Sequence, residues 1–257
     1  MQMDHIQVNI SLIALSLLSI SAAANEDRRQ IEPEGYIYGF GLGLNQEVYK
    51  DYDRRIIPLP IIGYRGKDLN VFGPFVSYDM LDVGNYSFSV QLKPRFQGFD
   101  EDDSDIFVGM GDRDFSMDLG LGVQYKKDNW RADINWLHDV LGKSKGYESN
   151  ASLSYVWRYR QVFFEPSIGM QYRDSRMTDY YYGVQADEIN LAIDRPQYHA
   201  DSVLNQTASV SVVTPLWGGL SRFSVTQTWY GDAIADSPLT DSDSSLAFIV
   251  TYSRFFK

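Results

Sequence analysis

The sequence predicts an all-β fold, a transmembrane antiparallel up-and-down β-barrel of about 12 strands, and three observations carry that expectation. From Gly35 to the end of the chain, apolar residues recur with period two rather than 3.6. The alternating runs reach about 9–11 residues, the length a tilted strand needs to cross a membrane, whereas strands of soluble proteins average about 5–6. Short, turn-like connections alternate with long polar ones, the rhythm of periplasmic turns and extracellular loops.

The N-terminus is read apart from this pattern. Residues 9–20 form a mostly apolar run with interspersed Ser, followed by Ser21-Ala22-Ala23-Ala24. Ala22 and Ala24 make an A-x-A site, which places signal-peptide cleavage before Asn25. The expected organisation is a signal peptide over residues 1–24 and one outer-membrane barrel domain over 25–257. The first five residues, Met1-Gln2-Met3-Asp4-His5, depart from the signal-peptide pattern in carrying no Lys or Arg. No segment reaches the roughly 18 consecutive apolar residues of a membrane-spanning helix.

The runs themselves are regular. Tyr36, Tyr38, Phe40, Leu42 and Leu44 alternate with Gly39, Gly41 and Gly43. Tyr86, Phe88, Val90, Leu92, Pro94 and Phe96 alternate with Ser, Gln, Lys93 and Arg95. Phe115, Met117, Leu119, Leu121, Val123 and Tyr125 do so against Ser116, Asp118, Gly120, Gly122 and Gln124. On residues 130–140 one face carries Arg131, Asp133, Asn135 and Asp139, and the other Trp130, Ala132, Ile134, Trp136 and Val140. So charged a face does not suit a soluble core. In a membrane barrel the apolar face meets lipid and the polar face lines the lumen. The lumen is therefore expected to hold Lys93, Arg95, Asp118, Arg131, Asp133, Asp139, Glu148, Arg158 and Glu165 as a mixed-sign network that fills a narrow barrel. Leu121, mid-strand on the lipid face, should resist a charge, and Gly120, on the lumen face, should tolerate Ser.

The short connections are Gly66-Lys67-Asp68, Lys127-Asp128-Asn129, Arg160-Gln161 and Trp217-Gly218-Gly219; the long ones cover residues 45–55, 100–113, 141–146, 173–200 and 231–244. Both termini on the periplasmic side require an even strand number. Direct counting gives an odd one, because only two runs separate the turn at Asp68 from the loop at Asp100. A further reversal at Gly73-Pro74, where Pro breaks a ladder, gives twelve. Merging two segments gives ten as the alternative.

Composition narrows the chemistry. There are no cysteines, so disulfides, thiolate metal sites and Cys nucleophiles are excluded. The net charge of -11 argues against a nucleic-acid partner. Of three His, His5 falls in the signal segment, His199 has no paired His, and His138 beside Asp139 points to the opposite face of its strand. The run Asp100-Glu101-Asp102-Asp103-Ser104-Asp105 lacks the Gly and the terminal Glu spacing of an EF-hand and reads as a solvated loop. No catalytic residue, cofactor or metal site is assigned, and the chain is expected not to be an enzyme.

Several stretches also resemble the MipA/OmpV family of Gram-negative outer-membrane proteins: Gly39-Phe40-Gly41-Leu42-Gly43, Pro58-Leu59-Pro60-Ile61-Ile62-Gly63-Tyr64-Arg65, Gly109-Met110-Gly111-Asp112-Arg113, His138-Asp139-Val140-Leu141-Gly142, Tyr180-Tyr181-Tyr182-Gly183-Val184 with Glu188, and Asp236-Ser237-Pro238-Leu239. Lys257 after Phe256 departs from the usual aromatic end. The resemblance implies an outer-membrane location among lipid and lipopolysaccharide. It also implies a non-enzymatic scaffold joining a lytic transglycosylase to a peptidoglycan synthase. A small channel, or a small-molecule or adhesion barrel, is the alternative. A scaffold would present its periplasmic turns, with Trp217, Arg160 and Lys127 as contact residues. Tyr180, Tyr181 and Tyr182 would pack into the barrel mouth as a plug.

Overall fold

The computed structural model describes residues 33–52 and 54–256; the signal segment and the cleavage site expected before Asn25 lie outside them. Thirteen strand segments form one antiparallel sheet: β1 (Gly35–Gln46), β2 (Arg54–Arg65), β3 (Leu69–Phe72), β4 (Phe75–Val83), β5 (Tyr86–Arg95), β6 (Ser116–Lys127), β7 (Trp130–Asp139), β8 (Tyr147–Tyr155), β9 (Trp157–Tyr159), β10 (Val162–Arg173), β11 (Val203–Leu216), β12 (Gly219–Trp229) and β13 (Ser244–Phe256). β8 and β9 are one strand interrupted at Val156, because both pair with β10 in an unbroken register. The wall therefore has twelve strands, not ten. β1 pairs with β13 and β10 with β11, so the sheet closes on itself and every strand lies beside its sequence neighbours. Among the described residues no helix is long and apolar enough to cross a membrane.

The reversal at Gly73-Pro74 supplies the strand that direct counting lacks. It separates β3 from β4, with Phe72 facing Phe75 in register. In each two-residue connection the first residue has positive φ: Gly73, Gly84, Asp128, Arg160 and Trp217. That twist matches the right-handed twist of the flanking strands.

Alternation places the side chains. On β2, Ile56, Pro58, Pro60, Ile62 and Tyr64 are exposed, while Ile57, Leu59 and Ile61 turn inward. On β6, Leu119 and Leu121 are exposed while Ser116, Asp118 and Gly120 are buried. Aromatic side chains band the short-turn rim, where Tyr36 contacts Tyr64 and Phe256, and Trp130 meets Tyr155. Such belts suit the membrane interface, where a ring's apolar body and polar tip are both satisfied.

The main packed apolar core lies at the loop rim, outside the lipid-facing wall. Val48, Tyr49, Phe99, Phe107, Met110, Met177, Tyr181, Tyr182, Val184, Ile234 and Leu239, from four long connections, form one buried cluster with Ala200 and Val203. Phe99 stacks on Phe107 at 3.8 Å, and Tyr49 stands edge-on to both. The longest connection contributes a helix, α1 (Ser175–Tyr182), capped by the Asp174 carboxylate, which accepts from the Met177 N–H at 3.1 Å. A single helical turn, α2 (Asp232–Ala235), inserts Ile234 beside it.

Candidate functional site

Three regions could carry function: the charged lumen, the loop cap, and the short-turn rim. In the lumen the charges fall into two groups. Near the loop rim, Arg95 bridges Asp118 at 2.5 Å and Glu148 at 3.0 Å, and Arg173 shares Glu148 at 3.1 Å. Toward the short turns, Arg131 meets Glu165 at 3.3 Å and Asp133 at 3.7 Å, and Arg222 also reaches Glu165 at 3.3 Å. Lys93 shares this inward face with Arg95 on β5, two residues away. Glu148 is among the lumen residues expected from sequence; Arg173 and Arg222 complete these groups and lie outside that set. Arg173 was read as the start of a loop, yet it ends β10, paired with Glu148. Only strand pairing reveals such partners, because they are distant in sequence.

The tyrosines of α1 sit inside the loop cluster. Tyr181 and Tyr182 are buried, and Tyr180 is partly so. Tyr49 donates its hydroxyl to the Tyr181 carbonyl at 3.1 Å, and Ser237 donates to the Tyr182 carbonyl at 2.7 Å. Burial, which disfavours a phenolate, pushes the hydroxyls of both Tyr181 and Tyr182 well up from their ordinary range. They are neutral packing groups across the physiological range.

At the opposite rim, Lys127, Arg160 and Trp217 occupy three consecutive hairpins, β6–β7, β9–β10 and β11–β12. Trp217 is 80% exposed although its φ is 48°. Holding a bulky residue in that region costs on the order of 1–3 kcal/mol. β13 clamps the turn: Tyr252 Oη and Arg254 Nη2 both donate to the Trp217 carbonyl, at 3.0 and 2.7 Å.

His138 and Asp139 do not form a pair. The His138 ring stacks on Trp136, planes 4° apart, on the outward face. Asp139 turns inward and accepts from the N–H groups of Leu141, Gly142, Ser144 and Lys145 and from the Ser116 hydroxyl. His199 lies exposed 3.6 Å from Asp179. Among the described residues no group of three or more His, Cys, Asp or Glu is placed to hold a metal ion.

Comparison with known proteins adds the decisive observation. The family described as MltA-interacting protein MipA matches residues 38–256. The chain belongs to the MipA family. One relative, outer membrane protein Omp26La of Vibrio anguillarum, is 25% identical over 91% of this chain and 92% of its own. The MltA-interacting protein of Escherichia coli K12 is 25% identical over 90% and 93%. Among solved structures, the CymD monoaromatic hydrocarbon channel overlaps 87% of this chain and 89% of its own with TM-score 0.39 and 12% identity. The protein is thus a MipA-family barrel of the outer membrane.

Four of the six stretches that carry the MipA resemblance lie at or beside the loop cap, while residues 39–43 and 58–65 lie in β1 and β2. Arg113, from Gly109-Met110-Gly111-Asp112-Arg113, grips Glu188 with Nη2 at 2.9 and 2.8 Å and donates Nε to the Tyr180 carbonyl at 2.6 Å. Glu188 also accepts from the N–H of Gly111 at 3.0 Å and of Gln185 at 2.9 Å. Burial works against this charge. The Gln185 amide, Arg113 and the Gly111 amide outweigh it and hold Glu188 below the usual carboxylate range. Arg195, fully enclosed, donates to the carbonyls of Glu188, Ile106 and Val108. Ser237 and Leu239 come from Asp236-Ser237-Pro238-Leu239, and Asp139 from His138-Asp139-Val140-Leu141-Gly142. Sequence reading missed Arg113–Glu188 as a unit, although both lie in matched motifs within long connections.

Proposed function

We propose that this barrel is a non-enzymatic docking platform whose periplasmic turns hold a peptidoglycan-remodelling protein, namely a lytic transglycosylase and with it a peptidoglycan synthase. The observation that supports this most is Trp217. A tight hairpin turn ordinarily uses Asn-Gly or Asp-Gly where φ must be positive. Here an indole stands in that place, strained, exposed and clamped from β13. Aromatic anchors presented from a fixed backbone suit an interface, because less entropy is lost on binding. Arg160 on the neighbouring short turn and Lys127 on the one beyond it add positive charge to the same rim. The long loops are taken as extracellular and the short turns as periplasmic, the usual arrangement for such barrels. The family's relatives named MltA-interacting protein agree with a periplasmic partner.

The test is capture of a lytic transglycosylase by the purified barrel in detergent. Trp217→Ala should lower capture by tenfold or more and leave the barrel's resistance to heat denaturation unchanged. An interface-belt role for Trp217 would reverse that result: stability in vesicles would fall and capture would stay. Capture unaffected by replacing Trp217, Arg160 and Lys127 together would overturn the docking reading.

A further inference from the structure

The wall of the barrel is not complete. β2 has 12 residues, but its neighbour β3 has four and pairs only with Gly63, Tyr64 and Arg65. The chain turns back at Gly73-Pro74, and β4 meets β5 no farther toward the loop rim than Val76 opposite Leu92. Above that hairpin tip, toward the loops, β2 pairs with β1 alone and β5 with β6 alone. The backbone ladder is therefore interrupted between β2 and β5 in the loop half of the wall, a break termed the window. Its sill is the tip of the β3–β4 hairpin. Its lintel is Arg55, whose Nη1 donates to the Phe96 carbonyl at 2.9 Å and whose Nη2 donates to that of Gly98. Glu47 holds the same guanidinium through Nε at 2.8 Å.

The free edge carries fewer backbone donors than an ordinary strand edge. The Ile62 carbonyl accepts from Gly73 N–H at 3.2 Å, so the even-numbered residues of β2 aim their backbone groups away from β1, toward the gap. Pro58 and Pro60 belong to that set. Any other residue there would present an N–H that lipid cannot satisfy, at a cost of several kcal/mol, and Pro belongs on such an edge. On the other side Pro94 lies two residues before Phe96, whose carbonyl faces Arg55 across the gap, so its missing N–H also faces the opening. The rings of Phe75 and Phe96 meet across the frame at 6.4 Å, and Phe96 meets Phe115 at 5.7 Å.

Behind the window the lumen changes character. Ile57, Leu59 and Ile61 face inward from β2, over Gly41 and Gly43 of β1, where an added Cβ would lie 3.3 Å from Leu59 and 3.4 Å from Ile57. Ile249 on β13 pairs with Gly43, faces the lumen, and is still 40% exposed. This aliphatic strip lies opposite the charged groups of β5 to β10. A break in the wall with aliphatic side chains on its deep side matches a linear hydrocarbon chain, the species present at that depth at liquid density. We propose that the window admits one acyl chain of a surrounding membrane lipid into the lumen, where the partly exposed Ile57 and Leu59 hold it. The proposal is independent of the docking reading, which concerns the other rim.

The test uses the native protein in phosphatidylethanolamine–phosphatidylglycerol vesicles containing a phospholipid with a photoreactive group on its acyl chain, with cross-links mapped by mass spectrometry. Adducts are expected on inward-facing Ile57 and Leu59 as well as outward-facing Ile56 and Ile62. Adducts confined to the outward residues would overturn the proposal. A second measurement uses the absence of native cysteine. A spin label on Leu59→Cys should collide with membrane-dissolved oxygen as often as one on Ile62→Cys, and at least threefold more than one on Ser152→Cys, on the inward face of β8 across the lumen. A Leu59 label reporting only aqueous relaxant would refute entry of the chain.

Discussion

Trp217 and Gly120 show how differently one residue can answer for its backbone. At Trp217 the chain accepts strain to expose a side chain. At Gly120 it accepts having no side chain, because an added Cβ would sit 1.8 Å from the Trp136 carbonyl oxygen and 2.8 Å from Leu137 Cα. Both obstacles are backbone of the paired strand and cannot swing aside. Sequence reading expects Gly120→Ser to be mild, since the position faces the lumen; the structure makes it disruptive, because β6 and β7 must separate to fit it. Leu121 beside it is exposed on the lipid face, and Leu121→Arg should cost about 2–4 kcal/mol near the bilayer midplane. Refolding into vesicles, followed by denaturant titration, should therefore rank both variants well below the parent. A Gly120→Ser barrel of parental stability would contradict the register of β6 against β7.

At the scale of elements, the strands were legible and their partners were not. Period two, run length and the Gly73-Pro74 break are local signals, and they lead to twelve strands with the correct faces. The shortness of β3 is not local: Leu69-Asn70-Val71-Phe72 reads as an ordinary run until the Gly73-Pro74 turn cuts it, and nothing in the sequence says that no strand replaces it above. The two lumen charge groups are mostly legible, since Arg95, Asp118, Arg131, Asp133, Glu148 and Glu165 follow from alternation but Arg173 and Arg222 join them only through register. The loop cap was the least legible element, because its contacts join residues as distant as Tyr49 and Tyr181. Its pH response can nevertheless be derived. Glu188 is held below its usual carboxylate range, so its contribution is complete above the unfolded-state value and is lost as pH falls through the lowered folded-state value. The near-ultraviolet circular dichroism of the cap tyrosines should weaken on acidification below the ordinary carboxylate range. Glu188→Gln should weaken it at neutral pH and flatten that acid-dependent loss. A signal as acid-sensitive in Glu188→Gln as in the parent would place the titrating group elsewhere.

Over the whole molecule, the barrel is a single closed sheet with an apolar exterior, a charged interior and a packed cap. Export must precede all of it, and Ala22 and Ala24 should direct cleavage so that the mature chain begins at Asn25. Intact-mass measurement of the membrane form should give residues 25–257; a mass retaining residues 1–24 would refute that site. The seam between β1 and β13 sets how the molecule comes together. Tyr36 lies against Phe256, and the ladder between these strands runs from there to Asn45 and Ala247. Joining positions so far apart has the largest loop-closure entropy in the sheet, so this ladder has the least local support and forms slowly. Until it forms, the nascent sheet has two unpaired edges and an apolar surface, a state prone to pair with other chains. The first strand to leave the ribosome must therefore wait for the last. The chain has to be chaperoned across the periplasm as an open polypeptide and zipped shut only where it meets the bilayer.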